Sequence, residues 1–203
     1  MVAIIFRKRN IRKIRKKKKQ TTLPQTIGVC GMAHNIGTTN LCLSTANYLA
    51  NKSLQATAYL ELNATREIAQ LNPKPSSGRF TYMGIDFYPA ATLRQLPELL
   101  QLKYSYFVLD FGVPNAYTFP EFLRCNLKFT VCSFSPWKRQ QYDNFYCHYN
   151  KNNELHHTHV KVLGNYGIKD TGNKNCETIP FLPNPFQLAP GEFTFFDRLL
   201  ERN

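Results

Sequence analysis

The stretch GMAHNIGTTN, residues 31–40, lies between an apolar run at residues 26–30 and a segment with apolar residues at Leu41, Leu43, Ala46, Leu49 and Ala50. A glycine-bearing turn from a strand into a helix gathers backbone N–H groups around an anion. The helix start adds about half an elementary positive charge. Thr38 and Thr39 offer hydroxyls that either cap the helix or ligate a magnesium ion. An acid at a neighbouring strand end holds such an ion, and Asp110 closes the apolar run at residues 106–111. Glu61 ends a second β-like run, where it either orients a water or is simply solvated. The loop contains no lysine, so only its backbone and the helix start supply fixed positive charge.

Other candidate chemistry is thinner. Glu154, His156, His157 and His159 lie in an Asn- and Lys-rich stretch without the i,i+4 helical spacing of a metalloprotease, which reads as an exposed loop. The six cysteines form no C-x-x-C pair, so neither a zinc site nor a redox motif is suggested. Several lie in apolar runs, where a reduced cysteine packs as a small hydrophobe, and this favours a reducing compartment. Trp137, between Pro136 and Lys138, reads as a packing residue at a helix start or as a partner contact.

The elements that must position these groups alternate in type. Strands are expected at residues 26–30, 56–62, 106–111, 128–134 and 159–165, with two short strands about Gly84 in residues 79–89. Helices are expected at residues 39–52, 92–102, 137–149 and 193–202, the last with Phe193, Phe196, Leu199 and Leu200 on one side. Such alternation predicts a three-layer α/β fold, a mainly parallel sheet flanked by helices, with ligands at the carboxyl ends of the strands. No internal repeat is visible.

The chain of 203 residues suits one such domain, at residues 26–203, behind a basic leader at residues 1–25. The net charge of +13 is concentrated in that leader. Residues 1–20 hold ten cations and no acid, leaving 16 of the 26 cations against 13 acids elsewhere, a net of +3. The basic balance therefore describes a tail, which weakens a nucleic-acid reading of the whole surface. The tail itself suits an anionic membrane surface or a solvated segment ahead of nucleic acid. No run of ~18 apolar residues is present to span a membrane, so a cytoplasmic place, or one at the membrane's inner face, is expected.

On these motifs the chain resembles the ParA/MinD (SIMIBI class) family of P-loop ATPases over about residues 26–200. The family loop, roughly K-G-G-V-G-K-T-T-L, falls on residues 33–41. Gly37 and Thr39 are kept, Thr38 stands for the phosphate lysine, and Ala33 stands for the second, signature lysine. "QATAYLELN" is similar to the second-strand motif, "YSYFVLDFG" to the Walker B strand, "KVLGNYG" to the strand that carries an adenine-contacting asparagine, and "IPFLPNPF" to the segment before the closing helix. The resemblance implies a nucleotide site of Gly31, Ile36, Gly37, Thr38, Thr39, Asn40 and Asn165. It implies ATP with magnesium on Thr39 and Asp110, and Glu61 orienting water if hydrolysis occurs.

With both lysines replaced, the expectation is a degenerate P-loop protein. It would bind nucleotide weakly or not at all and act as a positioning or interaction module with protein partners. The missing signature lysine argues against a nucleotide-driven homodimer. The alternatives are an ATPase with unconventional phosphate contacts and a DNA-associated partitioning protein.

Overall fold

The computed structural model describes residues 23–72, 78–149, 157–165 and 176–201. Most of the leader, together with Glu154 and His156, lies outside these residues. The described chain forms one eight-stranded sheet in the order β3-β4-β2-β5-β1-β6-β7-β8. The strands are β1 (Gln25–Gly31), β2 (Thr57–Glu61), β3 (Phe80–Tyr82), β4 (Ile85–Tyr88), β5 (Tyr106–Asp110), β6 (Leu127–Ser133), β7 (Lys161–Asn165) and β8 (Cys176–Thr178). All neighbouring pairs are parallel except the β3–β4 hairpin. The three-layer α/β architecture expected from the sequence is the one observed.

Strand periodicity builds two cores. Ile27 and Val29 of β1, Tyr59 of β2, Val108 of β5 and Phe129 of β6 face one side. Cys30, Ala58, Leu60, Phe107 and Leu109 face the other. Successive side chains of a strand alternate between faces, and burial on both faces is why these strands read as unbroken apolar runs. Helices α1 (Thr38–Asn47, continued by a wider π turn at Tyr48–Lys52) and α5 (Pro190–Leu200) cover the first face. Helices α2 (Leu96–Leu99), α3 (Thr118–Leu123) and α4 (Arg139–Tyr149) cover the second through Leu96, Phe119, Phe122, Tyr142 and Phe145.

Three local expectations change. The helix over residues 92–102 shrinks to the single turn of α2, entered through Pro97 in its first turn. In α5 the buried residues are Phe195, Phe196 and Leu199, while Phe193 is only partly covered, so the buried stripe is rotated from the expected one. The edge strand β8 and helix α3 were not foreseen. Three residues of "CET" carry no apolar period, and Pro120 inside "TFPEFL" reads as a breaker although a proline is tolerated in a helix's first turn. Among the described residues no helix is long and apolar enough to cross a membrane.

Candidate nucleotide site

The loop after β1 leaves the sheet between two neighbours. Gly31 N donates to Gly112 O at 2.7 Å, beyond β5, and Met32 N to Val131 O at 2.9 Å in β6. The chain then turns through Asn35, at φ 56°, and Gly37, at φ 87°, into α1, where Gly37 O accepts the first helical hydrogen bond from Leu41 N. The left-handed backbone explains the glycine at position 37, and so does space. A Cβ there would lie 2.4 Å from Asn165 Nδ2.

Gly31 is glycine for a different reason. A Cβ on it would lie 2.3 Å from Thr38 Oγ1, so the buried Thr38 side chain is folded back under the loop instead of reaching over it. Thr38 therefore does not do at a distance what a lysine would. Thr39 points the other way, and its Oγ1 donates to Asp110 Oδ2 at 2.8 Å. The threonine–aspartate pair expected from the motif is thus brought together.

Asp110 is fully buried. Besides Thr39, Oδ2 accepts Tyr59 OH at 2.7 Å, and Oδ1 accepts the Gly112 N–H at 2.9 Å. Tyr59 is fully buried too. Burial first, and then the adjacent Asp110, raise its phenol far above the ordinary range, so it stays protonated and is a donor only to this acid.

Glu61 lies beside Asp110 in the β2–β5 register. Its carboxyl group does not stand free. Oε1 accepts Ile68 N–H at 3.2 Å and Oε2 accepts Ala90 N–H at 3.1 Å, so it ties two loops to the end of β2. Burial raises its pKa, and the two amides offset part of that rise.

Asn165 donates from Nδ2 to Ile36 O at 2.6 Å, and Asn40 Nδ2 donates to Leu182 O at 3.2 Å. The asparagine expected on a base thus braces the loop. Asn40 joins α1 to the segment before α5, and Asn47 does the same through Pro185 O at 3.0 Å.

Two cavities open on either side of Gly37 and Asn40. The larger, about 920 Å³, is bounded by the loop, by Thr39, by residues 62–67 after β2 and by residues 111–113 after β5. The second, about 700 Å³, lies among Asn165, Thr178, Ile179, Phe181 and Leu182, with Phe181 86 % exposed. All seven implied nucleotide residues lie in or beside these cavities.

The sequence reading missed Arg66. It is the one Lys or Arg lining the larger cavity, its backbone is left-handed at φ 54°, and it has no ion pair or hydrogen bond among the described residues. It stands across the cavity from a loop that has no cation of its own. The signal available was a lone arginine a few residues after an acid-ended strand, facing a strand end where ligands bind. Tyr59 was missed as well, although a tyrosine inside an apolar strand needs a partner for its hydroxyl.

The donor set suits a phosphate. Residues 33–40, with the start of α1, line one cavity together with Arg66 and Glu67, and the close approaches at Gly31 and Gly37 exclude side chains there. For magnesium the types are right: Thr39 gives its proton to Asp110 and keeps its oxygen lone pairs, so a hydroxyl and a carboxylate stand together. The buried cysteines offer no nucleophile, since burial pushes the Cys30 and Cys125 thiols up to about 12. Among the described residues no group of three or more His, Cys, Asp or Glu could hold a metal.

No family model matches the chain, and no curated protein matches it. Solved structures do. A plasmid partition protein from Borrelia burgdorferi bound to AMPPNP aligns over 88 % of this chain and 97 % of its own, at 12 % identity and a TM-score of 0.59. A plasmid partition protein from the same organism, solved at 2.25 Å resolution, aligns over the same shares at 11 % identity and a TM-score of 0.60. The fold is that of the P-loop NTPases. At such identities the likeness extends to the fold and not to the chemistry of the site.

Proposed function

We propose that this chain is a ParA/MinD-like protein whose P-loop holds a phosphate-bearing ligand without hydrolysing it, and that it acts as a positioning or interaction module. The observation that carries this reading is the orientation of Thr38. At the position where the family motif has its phosphate lysine, a short hydroxyl side chain is buried against Gly31. Ala33, at the signature-lysine position, adds no charge. Phosphoryl transfer depends on neutralising charge that develops on the transferring group, and here Arg66 is the one fixed cation side chain on the cavity. Binding needs less than catalysis does, and one arginine with backbone amides meets that lower need. Glu61, committed to two loop amides, is not free to orient a water.

Nucleotide would lie with its phosphates against residues 36–40 and Arg66 and its base toward the cavity of Asn165 and Phe181. Calorimetric titration of ATP, ADP and pyrophosphate into the full chain tests this. Saturable binding that Arg66→Ala weakens about tenfold supports it, since a charge-assisted contact is worth roughly that much. No heat and no thermal shift at millimolar ligand would remove the nucleotide from the reading.

A second reading has its own observation. Ten cations in residues 1–20 suit a polyanion, and the structural neighbours above are described as plasmid partition proteins. A DNA-associated role predicts retention on DNA that falls steeply with salt and disappears on deleting residues 1–20. The membrane role instead predicts cosedimentation with anionic vesicles that the same deletion abolishes.

A further inference from the structure

We infer that Asn165 is a positioning residue for the phosphate, one that turns the Gly37 N–H toward the larger cavity, and not a reader of the base. It closes β7 and donates from Nδ2 to Ile36 O at 2.6 Å. A trans peptide is planar, and its C=O and N–H point in opposite directions. Holding the Ile36 carbonyl on the Asn165 side therefore points the Gly37 N–H away from Asn165. Ile36 and Gly37 both line the larger cavity, whereas Asn165 lines the second one. Among the described residues that N–H has no acceptor, so it is left for a ligand.

The brace matters because this peptide is easily turned over. Gly37 sits at φ 87°, and glycine crosses between left- and right-handed backbone at little cost. A flipped 36–37 peptide would aim the Ile36 carbonyl oxygen, the negative end of a dipole, at the anion. Asn165 opposes that flip from a strand held on both sides, by β6 and by β8. The fit is close, since a Cβ on Gly37 would lie 2.4 Å from the same Nδ2. The loop has no lysine, so its hold on phosphate rests on such amides and on Arg66. A base in the second cavity would meet Asn165 with its Nδ2 already turned to the loop.

This inference rests on the phosphate-cradle reading above. The test titrates inorganic pyrophosphate and ATP into the full chain, as wild type, Asn165→Ala and Asn165→Leu. Leucine fills nearly the space of asparagine without a donor or a charge. Both variants are expected to weaken both ligands about tenfold, the loss of one well-placed amide contact to an anion. A loss for ATP more than about threefold greater than for pyrophosphate overturns the inference and makes Asn165 a base contact. An Asn165→Leu variant that binds like wild type also overturns it, and reduces the side chain to a filler of space.

A second measurement needs no variant. In wild type, the Gly37 amide proton is expected to move downfield in nuclear magnetic resonance spectra as pyrophosphate binds, as an N–H does when it donates to an anion. Saturable binding that leaves the Gly37 resonance in place overturns the inference and leaves the cradle standing. Where thermal melts show the variants unfolded, this measurement decides. Absence of binding by wild type to either ligand overturns the cradle reading itself, and the role of Asn165 falls with it.

Discussion

The carboxyl ends of β2 and β5 lie side by side, Glu61 opposite Asp110, and put two equally buried acids to different uses. Glu61 is bonded by backbone amides from the two loops that follow β2 and β4, which makes it a strut. Asp110 is bonded by two side-chain hydroxyls, Thr39 at the start of α1 and Tyr59 in β2, and by one backbone amide, that of Gly112. Thr39 lines the cavity, and its hydroxyl can exchange its partner when a ligand arrives, whereas the Tyr59 hydroxyl is fixed in the core. A backbone amide at a loop root cannot do so without moving the loop. The end of β5 is therefore where this site keeps the capacity to respond, and the end of β2 is where it has become scaffold.

The sharpest way to break this contrast is to remove each acid. Asp110→Ala strands two hydroxyls and one amide in a fully buried position and is expected to cost about 4 kcal/mol, read by chemical denaturation. Glu61→Ala strands two amides and is expected to cost about 3 kcal/mol. Equal effects on ligand affinity in the two variants would erase the distinction between responsive and structural acids. The contrast holds if only Asp110 changes ligand binding once the loss of stability is allowed for.

The acids are also separable by pH. Burial raises the folded pKa of Glu61 above its ordinary 4.5. A carboxyl raised in this way contributes most below the unfolded value, and that contribution is lost as pH rises through the folded one. Wild type should therefore lose stability relative to Glu61→Gln as pH rises from about 4.5, and denaturation at a series of pH values checks it. A flat difference would mean that the two amides fully offset the burial.

The smallest expected effect sharpens the same comparison. Tyr59→Phe removes one donor from Asp110 and leaves the ring packing, for about 1 kcal/mol. A loss much above that would make Tyr59 primarily a core residue.

Most of the sheet was legible because its central strands are buried on both faces and so appear as apolar runs in the sequence. Residues 106–111 and 128–134 are instances. The edge strand β8 was not, since three half-buried residues hold their place by pairing with β7 and not by any pattern of their own. Within the site, Gly37, Thr39 and Asp110 were legible by type and spacing, and the structure joins the last two. Asn165 was a candidate by its motif, but its bond to the Ile36 carbonyl was not legible, because which atom an amide faces depends on a neighbour 129 positions away. Arg66 and Tyr59 were hidden for the same reason. One belongs to a loop and one to a core strand, and only the folded sheet puts Arg66 on the cavity and Tyr59 on Asp110.

The central claim is a cradle that binds without turnover. The direct measurement is phosphate release by the full chain in magnesium and ATP, made alongside equilibrium binding of the same nucleotide. The account predicts saturable binding with no phosphate released above the rate of buffer alone. Steady magnesium-dependent release that Asp110→Ala abolishes would contradict it.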